Sequence, residues 1–248
     1  MVTATNAPRN APARVPGRRS DRIFFSAMVG LMLGTVGLGF ARTYFLAGVF
    51  SAPLRSRVLH IHGAIFSLWM LLLFTQVTFV AAHRVDIHRR LGIVGFFLAP
   101  LVVILGVLAA GDALAHLGTH PSSMFLSFSI TPFTDMFVFG VLAGFALYAR
   151  HNPVVHKRLI LIATISMMRA AIFRWPFPFV FHNQIRAILI SYIFGLLLIA
   201  YDLWATHKVQ RATAWASAFL LAVHIVRIPI GRTNVWHGFA QWFGSLGI

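Results

Sequence analysis

Residues 58–92, VLHIHGAIFSLWMLLLFTQVTFVAAHRVDIHRRLG, decide the fold. The segment opens on His60 and His62, followed at once by Gly63, and then crosses an almost wholly apolar run that contains Trp69 and Gln76. It leaves that run at His83, turns through Arg84, Val85, Asp86 and Ile87, and starts a second run on His88, Arg89, Arg90 and Leu91. An apolar run long enough for a ~30 Å hydrocarbon core, with charge and imidazole at its edges, reads as a membrane helix followed by re-entry. The turn recurs: His83 and His88 with Arg89-Arg90-Leu91 match His151 and His156 with Lys157-Arg158-Leu159, 68 residues later in both cases.

Composition points the same way. The chain has 248 residues, 58% hydrophobic and 10% charged, with no glutamate, whereas soluble domains carry about a quarter charged residues. Its apolar runs are too long for barrel strands, and backbone polar groups in lipid must be satisfied internally. The fold class is therefore all-α, a polytopic transmembrane helical bundle. A formal charge of +16 would suggest nucleic acid in a soluble protein. Here the charges lie between apolar runs, so anionic lipid headgroups are the expected partners and nucleic acid is not. Without cysteine there is no disulfide, iron–sulfur cluster or covalent c-type haem.

Residues 1–22, rich in Pro, Ala and Arg, read as a disordered basic tail. Seven spans are expected at 23–41, 58–82, 91–113, 124–149, 159–177, 187–204 and 212–230, within a bundle covering 23–231. Glycines 30, 34, 37 and 39 offer the first span a close neighbour. Residues 232–248, with Trp236, His237, Trp242 and Phe243, read as an interfacial segment. Placing the tail in the cytoplasm puts Arg9, Arg14, Arg18, Arg19, Arg22, Arg84, Arg89, Arg90, Arg150, Lys157, Arg158, Lys208 and Arg211 inside. Fewer face the other side: Arg42, Arg55, Arg57, Arg186 and Arg232, with Arg174 and Arg227 near that edge. The positive-inside rule thus puts the N-terminus in the cytoplasm and the protein in the cell's inner (plasma) membrane. The two copies of the turn then belong to parallel hairpins.

This topology sorts the histidines into two layers. His83, His88, His151, His156 and His207 lie inside; His60, His62, His116, His120, His182, His224 and His237 lie outside. His62 and His224 fall within hydrocarbon, where ionisable groups count as functional candidates. Two imidazoles on different helices can ligate a haem iron axially, or hold copper or zinc with a third ligand. His60 and His62 project in opposite directions on a helix, so only one can face such a site. His88 and His156 form a weaker inner pair for haem or a metal. Beside these, His83, Arg89, Arg90, His151, Lys157 and Arg158 read as anchors for lipid headgroups.

Asp135 reads as the one carboxylate deep in a span. Counted from the cytoplasmic ends it sits ~21 Å up, with Arg169 at ~15 Å and Arg174 at ~22 Å on the next span. Arg174 is the first expected partner and Arg169 the second, forming an intramembrane ion pair, a proton relay or a clamp on an anionic group such as a haem propionate. Arg227, one turn beyond His224, would suit a charged carboxylate beside a ligand.

These residues resemble a group of uncharacterised bacterial multispanning membrane proteins. The shared features are His-x-His-Gly at 60–63 with the following Trp69 and Gln76, His-Arg-Arg-Leu-Gly at 88–92 and His-Lys-Arg-Leu at 156–159. The resemblance covers residues 55–175 and includes Asp135. More loosely, the layout is similar to di-haem membrane cytochromes of the b561 type and to membrane factors for oxidase assembly. The b561-type proteins use histidine pairs in a four-helix core, and no full set of four can be laid onto this chain.

Three functions follow as expectations. The first is binding of haem b between helices, with electron transfer to or from the quinone pool. The second is a non-catalytic accessory or assembly role in a membrane complex, with a complex partner or oligomer. The third is a small proton-coupled transporter centred on Asp135.

Overall fold

A computed structural model describes residues 18–50, 56–117 and 122–247. The expectations for Arg9, Arg14, Arg55 and His120 lie outside the described residues. Every regular element among the described residues is helical. In order they are α1 (Arg18–Phe40, continued by a π-helical turn Ala41–Phe45), α2 (Arg57–Ala81), α3 (Val85–Ala115), α4 (Ser123–Phe128), α5 (Ile130–Tyr148), α6 (Pro153–Ile172), α7 (Gln184–Thr206), α8 (Arg211–Gly231) and α9 (Asn234–Ser245).

Local chemistry sets most of these starts. Ser56, Ser122, Asn152, Asn183 and Thr233 each accept a hydrogen bond from the backbone N–H three residues on, which satisfies one orphan donor of the first turn. Pro153 follows Asn152 at the first helical position, where its fixed φ fits and its missing N–H costs nothing. His83 and His207 take positive φ at the ends of α2 and α7, the left-handed position that ends a helix. Helix α1 starts at Arg18, five residues before the expected first span. Helix α3 runs through Pro100 without a break in its assignment.

Among the described residues, six segments are long and apolar enough to cross a membrane: Arg19–Phe45, Arg57–Ala81, Val85–Ala115, Ser123–Tyr148, Gln184–Thr206 and Arg211–Gly231. Successive long helices run in alternate directions, so the bundle has two ends. At the proximal end Lys157 pairs with Asp21 at 2.6 Å, Tyr201 donates to Asp21 at 2.6 Å, and Arg22 reaches His83 at 2.8 Å. These contacts bring together the start of α1, the turn after α2, the start of α6 and the end of α7. At the distal end α9 packs along α3 and α4, with Phe133, Trp236 and Phe243 around the buried Ala240. The hairpins α2–α3 and α5–α6 pack side by side through α3 and α5.

Helix α6 lies at the centre, against α1, α5, α7 and α8. Every residue from Ile160 to Arg169 is buried, so α6 faces protein on all sides. Outer helices instead expose large apolar side chains, such as Phe96, Phe97 and Ile104 on α3 and Leu189, Ile193 and Leu196 on α7. So much exposed hydrocarbon surface fits lipid and not water. The glycines of α1 behave unequally. A Cβ at Gly39 would collide with the backbone of Ala171, whereas Gly30, Gly34 and Gly37 have open space around them. Close approach is thus confined to one point between α1 and α6.

Candidate functional site

Four helices converge on Asp135 of α5, which is 3% exposed. Arg169 of α6 donates to its Oδ2 at 3.0 Å, and Arg227 of α8 donates to Oδ1 at 2.8 Å. His224, on the same face of α8 as Arg227, places Nε2 3.6 Å from Oδ1, an ion-pair contact longer than a hydrogen bond. The other ring nitrogen of His224, Nδ1, is 2.8 Å from the hydroxyl of Tyr192 on α7. Arg169 also donates to Oε1 of Gln184, at the start of α7, at 2.9 Å. One carboxylate therefore meets two guanidiniums and an imidazole. Nε of Arg169 and Nε2 of His224 are buried with no hydrogen-bond partner among the described residues.

Asp135 is paired, but with different cations from those expected. Arg174, the first candidate, donates to the Ala170 carbonyl at 2.7 Å and lies over the Phe40 ring at 4.9 Å. Arg169, the second candidate, and Arg227 take its place. His62 is half-buried; its Nδ1 has no hydrogen-bond partner among the described residues, and its ring stacks near Phe66. The expected outer pair is not assembled. His62 sits on α2, which packs against α1 and α3, whereas His224 sits on α8 against α5 and α6. His224 instead turns Nε2 toward Asp135 and Nδ1 toward Tyr192. His60 is exposed, and its backbone carbonyl accepts from Tyr44 at 3.0 Å.

A second ion cluster, not anticipated, occupies the proximal half. Arg158 of α6 and Asp202 of α7 are 2% and 0% exposed. Arg158 donates to Asp202 from Nη2 at 2.5 Å and from Nε at 3.0 Å. Thr213 of α8 donates to the other oxygen at 2.6 Å, and the Gln210 N–H does so at 3.1 Å. This corrects one expectation: Arg158 is no headgroup anchor, because both its fork and its partner are sealed in protein. Asp202 lies about one turn from the end of α7. Lys157 is likewise drawn to Asp21. Of the remaining proposed anchors, Arg89, Arg90 and His151 are exposed at the proximal end, and His83 receives Arg22.

Near that end the inner histidines do meet. The rings of His88 and His156 lie 6.4 Å apart at 79°. Among the described residues no three His, Asp or Glu side chains gather as a metal site. In comparisons with known proteins, the chain matches no family model, no curated protein and no solved structure.

Proposed function

We propose that this is a multi-pass membrane protein of seven crossings, N-terminus in the cytoplasm, that binds an anionic group carried by a lipophilic molecule at the Asp135 cluster. The surplus of buried cation over carboxylate supports this reading. Two guanidiniums against one carboxylate leave the site positive inside hydrocarbon, where uncompensated charge is costly. A ligand carboxylate or phosphate would supply the missing charge and accept from the unpartnered Nε of Arg169. Entry fits the seam between α7 and α8, which pack only lightly on each other. Tyr192, partly exposed, spans that seam through its bond to His224.

The transporter expectation draws no support from this geometry, since both oxygens of Asp135 are already engaged by guanidiniums. Haem-based electron transfer draws no support from His62 and His224, because the two imidazoles do not face one site. The test is titration of the detergent-purified protein with oleate, a carboxylate amphiphile, followed by melting temperature and native mass spectrometry. Oleate is expected to raise the melting temperature in the wild type and not in Arg227→Gln, with the neutral oleyl alcohol inactive in both. Equal shifts in the two proteins, or none in the wild type with either oleate or an alkyl phosphate, would overturn the proposal.

A further inference from the structure

We propose that His88 and His156, joined by Gln76, hold a transition-metal ion near the proximal end of the bundle. The site is separate from the Asp135 cluster and does not depend on its reading. His88 and His156 are the repeated histidines of the two turn motifs, each the fourth residue of its helix in α3 and α6. The repetition therefore brings equivalent imidazoles close together, their planes nearly perpendicular.

Four observations carry the assignment. The ring centroids lie 6.4 Å apart with the planes nearly perpendicular, the span of two imidazoles that oppose one another across one ion, since ~2 Å metal–nitrogen bonds set each centroid about 3 Å from it. Nδ1 of His156 lies 2.8 Å from the Ala146 carbonyl; a carbonyl only accepts, so Nδ1 is the donor, and in the neutral ring Nε2 carries the lone pair. A ligating histidine is commonly fixed in this way, its other nitrogen donating to a backbone carbonyl. Nδ1 of His88 is buried without a hydrogen-bond partner among the described residues. Finally, Gln76 is only 9% exposed, and its Oε1 is also buried without a partner.

The side chain of Gln76 lies beside Gly92, one turn beyond His88 on the same face; a Cβ there would stand 3.7 Å from its Nε2. Packing of the two histidines would not by itself leave a ring nitrogen of His88 and an amide oxygen of Gln76 both buried and unpaired. Two nitrogens and an amide oxygen form a borderline donor set that suits copper(II) or zinc over magnesium or calcium.

The experiment uses the full chain, purified in detergent and stripped with EDTA. Copper(II) and zinc(II) are added separately, excess ion is removed by desalting, and retained metal is counted by mass spectrometry. One ion per chain is expected for the wild type and for His151→Ala, an exposed control. Affinity should fall at least tenfold in both His88→Ala and His156→Ala, and by less in Gln76→Ala. His88→Gln and His156→Asn, which keep a polar side chain of similar reach, separate ligation from packing: both must fold like the wild type and still lose the ion. Failure of the folded wild type to retain either metal would overturn the proposal, as would full retention in His88→Ala. A haem Soret band formed on hemin addition and lost in the same variants would also overturn it, with iron in a porphyrin replacing the free ion.

Discussion

The two buried ion clusters use similar parts and reach different ends. In the proximal half, one guanidinium faces one carboxylate, and both oxygens of Asp202 are covered by Arg158, Thr213 and the Gln210 backbone. Charge and hydrogen bonds are both closed. In the distal half, Asp135 is shared between Arg169 and Arg227 with His224 behind them, and donors are left over. A closed pair fixes the register of α6, α7 and α8; an open one has capacity for something more. A buried pair is weak evidence for net stability, yet removing one partner is costly because the survivor stays charged in an apolar surround.

The sharpest way to break this contrast is to cut the closed pair. Arg158→Ala should cost about 3–5 kcal/mol, read as a large fall in melting temperature or loss of the monodisperse peak on size exclusion. The double change Arg158→Met with Asp202→Leu should recover most of that loss. If Arg158→Ala melts like the wild type, the proximal cluster is not the closed pin described.

A smaller and more informative effect is expected at the open cluster. Asp135→Asn leaves two guanidiniums without their counter-charge and should destabilise by a few kcal/mol. Unlike the proximal lesion, this one should be partly reversed by oleate, because an added carboxylate can take the vacated role. Thermal melts with and without oleate for both variants distinguish the clusters directly; equal behaviour would erase the difference between them.

The smallest effect should come from Tyr192→Phe, which removes the hydroxyl facing His224 and nothing else. A loss of about 1 kcal/mol is expected, together with faster release of a bound amphiphile if the tyrosine stands across its route. Stability unchanged and release unchanged would show that the contact is incidental.

Much of this architecture is legible in the sequence. Hydrocarbon-length runs identified the helices, and a lone aspartate far from any turn demanded a cation. Which cation was not legible from depth. Arg174 lies level with Asp135 by residue count, but it is five residues beyond Arg169, or about 140° further around the helix, and it turns away to Phe40. Helix phase outweighed height. Arg227 was invisible as a partner because it is 92 residues away from Asp135 and no local pattern links α5 to α8. The Arg158–Asp202 pair was missed for a different reason. Lys157 and Arg158 resemble a headgroup-binding dipeptide, but neighbouring side chains on a helix diverge by about 100°. One therefore meets Asp21 near the end of the bundle and the other enters its interior.

The position of α6 has a consequence for biogenesis. It is not among the six segments that, among the described residues, are long and apolar enough to cross a membrane, and its cations Lys157, Arg158 and Arg169 find their carboxylates on α1, α7 and α5. Our hypothesis is that α6 leaves the insertion machinery late, waiting beside the earlier helices until α7 delivers Asp202. Nascent chains halted before residue 202 should leave the distal end of α6 poorly translocated, as measured by an engineered glycosylation acceptor after residue 177, whereas chains halted after α8 should translocate it fully. Equal glycosylation at both lengths would mean that α6 commits to the membrane on its own.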